Sequence, residues 1–258
     1  MTYLIIGASS GLGRELAIKF AKKNYNLIIV SRDERDLIAI KSDLEIKYKI
    51  NVNFISLDFF SIDEIDKKLF SKKNLLEEIQ GVLFPVGTMF EQDNTMLNAV
   101  NINKLLSSNY ISIVYTIQRL RKYLVNKEKS TIVGFGSVSS FLGREINSVY
   151  AGAKRALESY FESLAFDQNF KKINIQFYTL GYLDTNLSFG KDLKLPKGPI
   201  KKLSEIVYKN KNANFKKLTF PKYWKVVDLI IKLIPFSIIR KFSEILSKWI
   251  ISLNLNYQ

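Results

Sequence analysis

The chain has 258 residues, of which 39 are basic and 24 acidic, so its formal charge is +15, and 47% of its residues are apolar. It contains no cysteine and no histidine, which excludes disulfides, thiolate or imidazole metal sites, cysteine nucleophiles and serine–histidine–aspartate triads. Acid–base chemistry in this chain must therefore use tyrosine, lysine, serine or carboxylate side chains.

Short apolar segments alternate along the chain with longer segments whose apolar residues recur every three or four positions. The short segments predict strands covered on both faces, over Tyr3–Ile6, Leu27–Val30, Val52–Leu57, Gly81–Phe84, Thr131–Phe135, Ile173–Tyr178 and Leu218–Phe220. The longer segments predict helices, over Leu12–Lys23, Arg35–Lys47, Ile62–Leu69, Lys104–Leu124 and Tyr150–Phe170. We therefore predict an α/β fold with a Rossmann-like, doubly wound, mainly parallel seven-stranded sheet and helices on both faces.

Glycines cluster directly after the first predicted strand, where the first helix begins. The candidate binding residues of this segment are Gly7, Ser9, Ser10, Gly11, Leu12 and Gly13. At a strand–helix junction, glycines let the backbone turn tightly and let a pyrophosphate approach the helix N-terminus. Glycine also serves plain tight turns, but the position of this segment favours dinucleotide binding.

Two further positions at strand ends bear on which dinucleotide binds. The second strand ends in Ser31 and Arg32, where a site for NAD typically has an acidic side chain. A hydroxyl and a guanidinium suit a 2′-phosphate instead, so we predict NADP, with NADPH preferred over NADH; the alternative is a surface ion pair between Arg32 and Asp33. Asp58 follows the third strand and is placed to accept from the adenine amino group, and its alternative is a helix N-cap.

A tyrosine and a lysine four residues apart lie on the same face of a helix. The chain has two such pairs, Tyr123 with Lys127 and Tyr150 with Lys154. Tyr150 opens a helix after a strand that ends in Ser137, whereas Tyr123 lies late in a helix. A lysine ammonium lowers the pKa of a nearby phenol, and a serine hydroxyl stabilises a developing alkoxide. The second pair is therefore the candidate for general acid–base catalysis.

The glycine pattern, Asp58, Ser137, Tyr150 and Lys154 together resemble the short-chain dehydrogenase/reductase family over about residues 2–190. The resemblance implies an NAD(P)-dependent oxidoreductase that interconverts a ketone and a secondary alcohol. It implies that Tyr150 is the general acid/base and that Lys154 also holds the nicotinamide ribose. It further implies that Asn109 binds a water that links Lys154 to solvent. Its catalytic residues are Asn109, Ser137, Tyr150 and Lys154, and its further cofactor-binding positions are Gly87 and Thr185.

The chain departs from the family pattern at two places. Phe84-Pro85-Val86-Gly87 stands where the family often has Asn-Asn-Ala-Gly, and Leu180-Gly181 stands where it has Pro-Gly. Neither change touches the residues of proton transfer. The resemblance also implies a homodimer or homotetramer through the helices at 104–124 and 150–170, with Tyr115, Leu157, Phe161 and Leu164 at the interface.

The positive charge is concentrated near the C-terminus, because residues 186–258 carry 15 basic and 4 acidic side chains. This excess suits an anionic partner, or it consists of solvated lysines without one. Residues 222–253 combine apolar and aromatic side chains with lysine and arginine at helical spacing, as helices in a membrane interface do. The alternatives are peripheral membrane contact and packing in the core or a dimer interface. No recognised nucleic-acid motif occurs here, so we expect no nucleic-acid partner.

We predict an NADP-binding catalytic domain over residues 1–221 and a C-terminal amphipathic helical extension of it over 222–258. Residues 182–203 read as a mobile loop, either a substrate lid or an ordinary exposed connection. The sequence lacks the pattern of a secretory signal and any apolar stretch of roughly 20 residues. We therefore expect a cytoplasmic protein, peripheral at the inner face of the membrane if the extension binds lipid.

The sequence is compatible with several classes of carbonyl substrate. A looser likeness to the reductase component of decaprenylphosphoryl-ribose 2-epimerase suggests a keto-sugar or another lipid-linked carbonyl. The alternatives are a soluble reductase of 3-oxoacyl or small carbonyl compounds, and a non-catalytic NADP-binding regulatory protein.

Overall fold

The computed structural model describes residues 1–90, 93, 96–143, 145–184 and 195–241. Within them, seven strands form one sheet in the order β3-β2-β1-β4-β5-β6-β7. All neighbouring strands are parallel. The strands are β1 Thr2–Ile6, β2 Asn26–Ser31, β3 Val52–Ser56, β4 Ile79–Phe84, β5 Ser130–Ser137, β6 Ile173–Leu180 and β7 Phe215–Phe220. The predicted fold class is confirmed.

Helices fill the crossovers between the parallel strands. They are α1 Gly11–Ala21, α2 Glu34–Tyr48, α3 Ile62–Glu64, α4 Lys73–Glu77, α5 Ala99–Leu106, α6 Ser112–Leu124, α7 Ser148–Phe166 and α8 Ile200–Lys209. A further helix, α9 Tyr223–Leu233, follows β7. A π-helical turn, Ile65–Leu69, continues α3, and a second one, Ser107–Ile111, joins α5 to α6. The sequence analysis overlooked α4 and α8.

The sheet separates two hydrophobic clusters, because successive side chains of a strand point to opposite faces. In β1, Leu4 and Ile6 pack with residues of α6 and α7, whereas Tyr3 and Ile5 pack with residues of α1, α2 and α8. All four side chains are almost completely buried. This two-sided burial explains why the strands read as nearly continuous apolar runs.

The helix predicted at 104–124 begins earlier and is not regular. Asn98 caps its N-terminus by accepting from the backbone N–H of Asn101 at 2.9 Å. The helix predicted at 150–170 begins at Ser148 and ends at Phe166, and a 3-10 turn, Gln168–Phe170, follows it.

Three of the four residues predicted for an oligomer interface lie in the core instead. Leu157, Phe161 and Leu164 are at most 3% exposed and face the sheet. Phe161 lies against Gly134, where an added Cβ would come within 2.4 Å of its ring. Tyr115 is half-buried, and its hydroxyl donates to Asp66 at 2.6 Å. The inner face of α7 is therefore core, and these three residues are not available to a second subunit.

The predicted loop at 182–203 lies partly outside the described residues, which leave out 185–194. Leu183 forms a parallel bridge with Gly198, and α8 begins at Ile200, so the end of the predicted loop is helical. The chain divides after Pro221 into two compact units, the second beginning at Lys222. Among the described helices, none combines the length and apolar character needed to cross a membrane.

Candidate active site

The strand order reverses between β1 and β4, and in doubly wound sheets ligands bind beside the carboxyl ends of the strands at such a point. Gly7 follows β1 directly, and Gly87 follows β4 closely. The two loops touch, since a Cβ on Gly7 would lie 3.0 Å from the backbone of Val86. The loop after β4 therefore lies against the glycine turn.

The glycine turn is closely packed, as the sequence predicted. Gly7 has φ +97° and Gly11 has φ +50°, in the region that favours glycine. A Cβ on Gly13 would come 1.9 Å from the carbonyl oxygen of Gly7, so only glycine lets α1 begin this close to the turn. Among the described residues, Ser10 makes no side-chain capping bond at the N-terminus of α1. N–H groups in the first turn of a helix that have no side-chain acceptor can bind a phosphate, so the turn fits a dinucleotide.

Arg32 follows β2 and is exposed, with its guanidinium carbon 5.8 Å from the centroid of the Phe60 ring. Asp33 forms its ion pair with Arg35 instead, at 3.2 Å, and caps α2 by accepting from two backbone N–H groups. The alternative of an Arg32–Asp33 ion pair is therefore wrong. Ser31 is half-buried at the end of β2, beside Arg32.

Asp58 lies two residues beyond β3 and is half-buried. The N-cap of α3 is Ser61, whose hydroxyl accepts from the N–H of Glu64 at 3.3 Å, so the capping alternative for Asp58 is wrong. One Asp58 carboxylate oxygen accepts from the N–H of Phe60 at 3.4 Å, in a local turn.

Tyr150, Lys154 and Ser137 come together at the carboxyl end of β5. Tyr150 lies in the first turn of α7 and is half-buried, with the Ser137 side chain close enough to affect the pKa of its phenol. Lys154 lies one turn later and is 3% exposed. Its ammonium donates to the carbonyl of Phe135 at 3.1 Å and lies 5.8 Å from the centroid of the Tyr150 ring.

Burial controls the protonation of this pair. It raises the pKa of the Tyr150 phenol, and the nearby Ser137 side chain opposes that shift. Burial also lowers the pKa of Lys154 from 10.5 to about 8. The sequence predicted that Lys154 lowers the pKa of Tyr150, but the pKa of the phenol is raised, because burial removes its solvation.

Asn109 is completely buried in the π-helical turn between α5 and α6. Its amide nitrogen donates to the carbonyls of Thr88 at 2.8 Å and Leu105 at 2.9 Å. Within the described structure its amide oxygen has no hydrogen-bond partner. A Cβ on Gly87 would lie 2.8 Å from that oxygen and 3.3 Å from the Lys154 ammonium. A side chain at residue 87 would crowd both groups, so the glycine lets the Asn109 oxygen and the Lys154 ammonium lie close to this turn.

Asp93 is a residue that the sequence analysis missed. It is completely buried in the segment between β4 and α5. Its carboxylate accepts from the hydroxyl of Ser148 at 2.9 Å, the N–H of Val149 at 3.0 Å and the N–H of Tyr150 at 2.8 Å. Asp93 therefore caps the helix that carries Tyr150 and Lys154, from 55 residues away in sequence. Thr185 lies outside the described residues.

Comparisons with known proteins agree with this geometry. A model of the short chain dehydrogenase family matches residues 1–194. A very-long-chain 3-oxoacyl-CoA reductase of Candida glabrata is 28% identical over 200 residues, covering 71% of this chain and 56% of that protein. A very-long-chain 3-oxoacyl-CoA reductase-B of Danio rerio is 25% identical, covering 72% and 60%. The chain thus spans little more than half the length of these relatives.

Two solved structures share the fold. The bulky-bulky ketone specific alcohol dehydrogenase from Comamonas testosteroni has a TM-score of 0.74 at 21% identity, covering 91% of this chain and 95% of that one. A short-chain dehydrogenase from Sphingobium yanoikuyae in complex with NADPH has a TM-score of 0.73 at 21% identity, covering 91% and 96%.

We expect Asp93→Ala to lower the free energy of unfolding by about 1–3 kcal/mol, because it leaves buried N–H groups of α7 without an acceptor. Amide hydrogen exchange at Val149 and Tyr150 should become faster, and urea unfolding should report the loss of stability. Asp33→Ala is the matched control, since it removes a similar cap from the exposed start of α2. Unchanged exchange at Val149 and Tyr150 in Asp93→Ala would contradict the capping role.

We also expect the stability of the protein to depend on pH through Lys154. Because its pKa is about 8 when folded and 10.5 when unfolded, the unfolded chain holds more protons between these values, and stability rises with pH there. Relative to Lys154→Met, the wild-type unfolding free energy should rise between pH 8 and 10 by at most about 1.4 kcal/mol per pH unit. Urea unfolding measures both proteins, and parallel pH curves would refute the shift.

Proposed function

Since this chain belongs to the short-chain dehydrogenase/reductase family, we propose that it is an NADPH-dependent reductase that converts a ketone into a secondary alcohol. One observation carries the proposal. Tyr150 lies at the carboxyl end of β5, near Ser137 and one helical turn from the buried Lys154. These groups can donate a proton to a carbonyl oxygen and hold that oxygen in place by hydrogen bonds during the transfer.

The roles of the side chains follow from their environments. A bound nicotinamide nucleotide supplies the hydride. Tyr150 donates the proton, and its raised pKa means that the phenol is protonated at neutral pH, as an acid in the reductive direction must be. Ser137 donates a hydrogen bond to the same carbonyl oxygen. Lys154 and the amide oxygen of Asn109 flank the space beside Gly87, where a proton can be passed on to replace the one that Tyr150 gives up.

The preference for NADPH rests on Arg32 and Ser31 at the end of β2. Arg32 is exposed, and its nearest acidic neighbour in sequence is engaged by Arg35. Its guanidinium is thus available for a 2′-phosphate, to which it can donate two hydrogen bonds at once. The residues we assign to the nucleotide are Gly7, Ser9, Ser10, Gly11, Leu12, Gly13, Ser31, Arg32, Asp58, Gly87, Tyr150, Lys154 and, outside the described structure, Thr185.

The substrate we favour is a ketone on a long apolar chain, with a 3-oxoacyl thioester as the first candidate. Two supports exist. The relatives named above are very-long-chain 3-oxoacyl-CoA reductases. Two exposed apolar side chains also lie near the start of α7: Met96 is 84% exposed and Ile146 is 61% exposed. Both lie within three residues of the hydrogen bond from the N–H of Asn147 to the carbonyl of Asp93. The keto-sugar and the homo-oligomer stay predictions of the sequence.

We expect Arg32→Ala to weaken the binding of NADPH at least tenfold and to leave that of NADH within about twofold, because only NADPH carries the phosphate. A fluorescence titration of the purified protein with each nucleotide measures this. Arg35→Ala is the matched control, an exposed arginine three residues away that already pairs with Asp33. Equal losses for both nucleotides in Arg32→Ala would contradict the proposed 2′-phosphate contact.

We expect the protein to oxidise NADPH with 3-oxoacyl-CoA substrates, faster with long chains than with a four-carbon chain. Tyr150→Phe should lower kcat/KM by about 10²-fold or more, because proton donation by a positioned group contributes that much. Tyr123→Phe is the matched control, since Tyr123 belongs to the other tyrosine–lysine pair. If the protein bound NADPH but reduced no ketone, the non-catalytic alternative would replace the proposed function.

A further inference from the structure

Helix α9 has two apolar sides, and among the residues that the structure describes one side is largely buried and the other is exposed. Trp224 is 9% exposed, and Val227 and Ile231 are half-buried. On the opposite side, four large apolar residues are at least half exposed: Val226, Leu229, Ile230 and Leu233. Their spacing of three, four and seven residues places them on one face. We call these four residues the outer face of α9.

The apolar exposure continues beyond the end of the helix. Phe236 is 64% exposed and Ile238 is 47% exposed. Single exposed apolar side chains are normal, but a group of this size within thirteen residues marks a surface that binds something.

The charges around the outer face identify the partner. Residues 222–241 carry one acidic side chain, Asp228, and five basic ones: Lys222, Lys225, Lys232, Arg240 and Lys241. Asp228 is itself paired with Lys232, at 2.7 Å. Lys225 and Lys232 are exposed, four and three residues from Leu229, so both lie along the edge of the outer face. An apolar stripe with a cationic edge complements a surface that is apolar inside and anionic outside.

We infer that the outer face of α9 binds the interface of an anionic lipid bilayer, with its apolar side chains below the headgroups and its lysines among them. Helices of this kind lie in the plane of the interface, and their binding combines apolar burial with attraction to anionic lipids. A protein partner would need its own acidic, apolar patch to match both features. None of the residues of the outer face belongs to the candidate active site, so docking does not depend on the proposed reaction.

The test is flotation of the full chain with vesicles of phosphatidylcholine and phosphatidylglycerol in equal amounts, against vesicles of phosphatidylcholine alone. We expect binding to the anionic vesicles that falls at least tenfold when Leu229 and Leu233 are both changed to serine. Lys225→Gln with Lys232→Gln should also weaken it, and high salt should do the same. Ile46→Ser is the matched control, since Ile46 is 72% exposed on α2 and should not affect binding.

A nucleotide titration of every variant checks that the active-site fold is intact and separates this inference from the proposed reaction. A wild-type protein that ignores the anionic vesicles would overturn the inference. So would a double serine variant that binds them as well as Ile46→Ser does. If the double variant instead changed the mass measured by light scattering, without any vesicle binding by the wild type, the outer face would be a contact between copies of this chain.

Discussion

The buried ammonium of Lys154 is the constraint on which the candidate site depends. A lysine that is 3% exposed has lost most of its hydration, and the fall of its pKa to about 8 reflects that loss. The protein compensates with the carbonyl of Phe135, to which the ammonium donates. Gly87, which has no side chain, lets the oxygen of Asn109 and the ammonium lie close to the same turn. The site is therefore built around a charge whose solvation by the protein is incomplete, as its lowered pKa indicates.

The chain that leaves β4 connects the parts of this arrangement. Val86 lies against the glycine turn, and Gly87 faces Lys154. The carbonyl of Thr88 accepts from Asn109, and Asp93 caps α7 at Tyr150. Residues of this segment thus contact the glycine turn, Lys154 and Tyr150. The departure from the family pattern at residues 84–87 retains the glycine, at which an added Cβ would lie 2.8 Å from the Asn109 oxygen.

Local sequence patterns were enough to predict the strands and the tyrosine–lysine pair. Contacts between residues far apart in the sequence could not be predicted from such patterns. The strands were visible because both faces of the sheet are covered, and Tyr150 was distinguished from Tyr123 by its position after β5. Asp93 had no local signal, because its carboxylate bonds to residues more than 50 positions away. Periodicity showed that Leu157 and Phe161 lie on one apolar face of a helix but not what that face packs against. In the structure it packs against the sheet. The π-helical turn likewise contains a contact between distant residues, since the Asn109 amide donates to the carbonyl of Thr88, 21 residues away.

The two proposals address a single physical difficulty. A ketone on a long apolar chain partitions into a bilayer, so little of it is free in water for a soluble reductase to bind. A reductase that binds the bilayer meets the substrate at the higher concentration of the interface, and gains encounter rate without any new contact in its active site. The apolar side chains at the start of α7 and on the outer face of α9 are exposed to solvent, and grouped exposure of this kind is typical of binding surfaces. Substrate and membrane together give a reason for both.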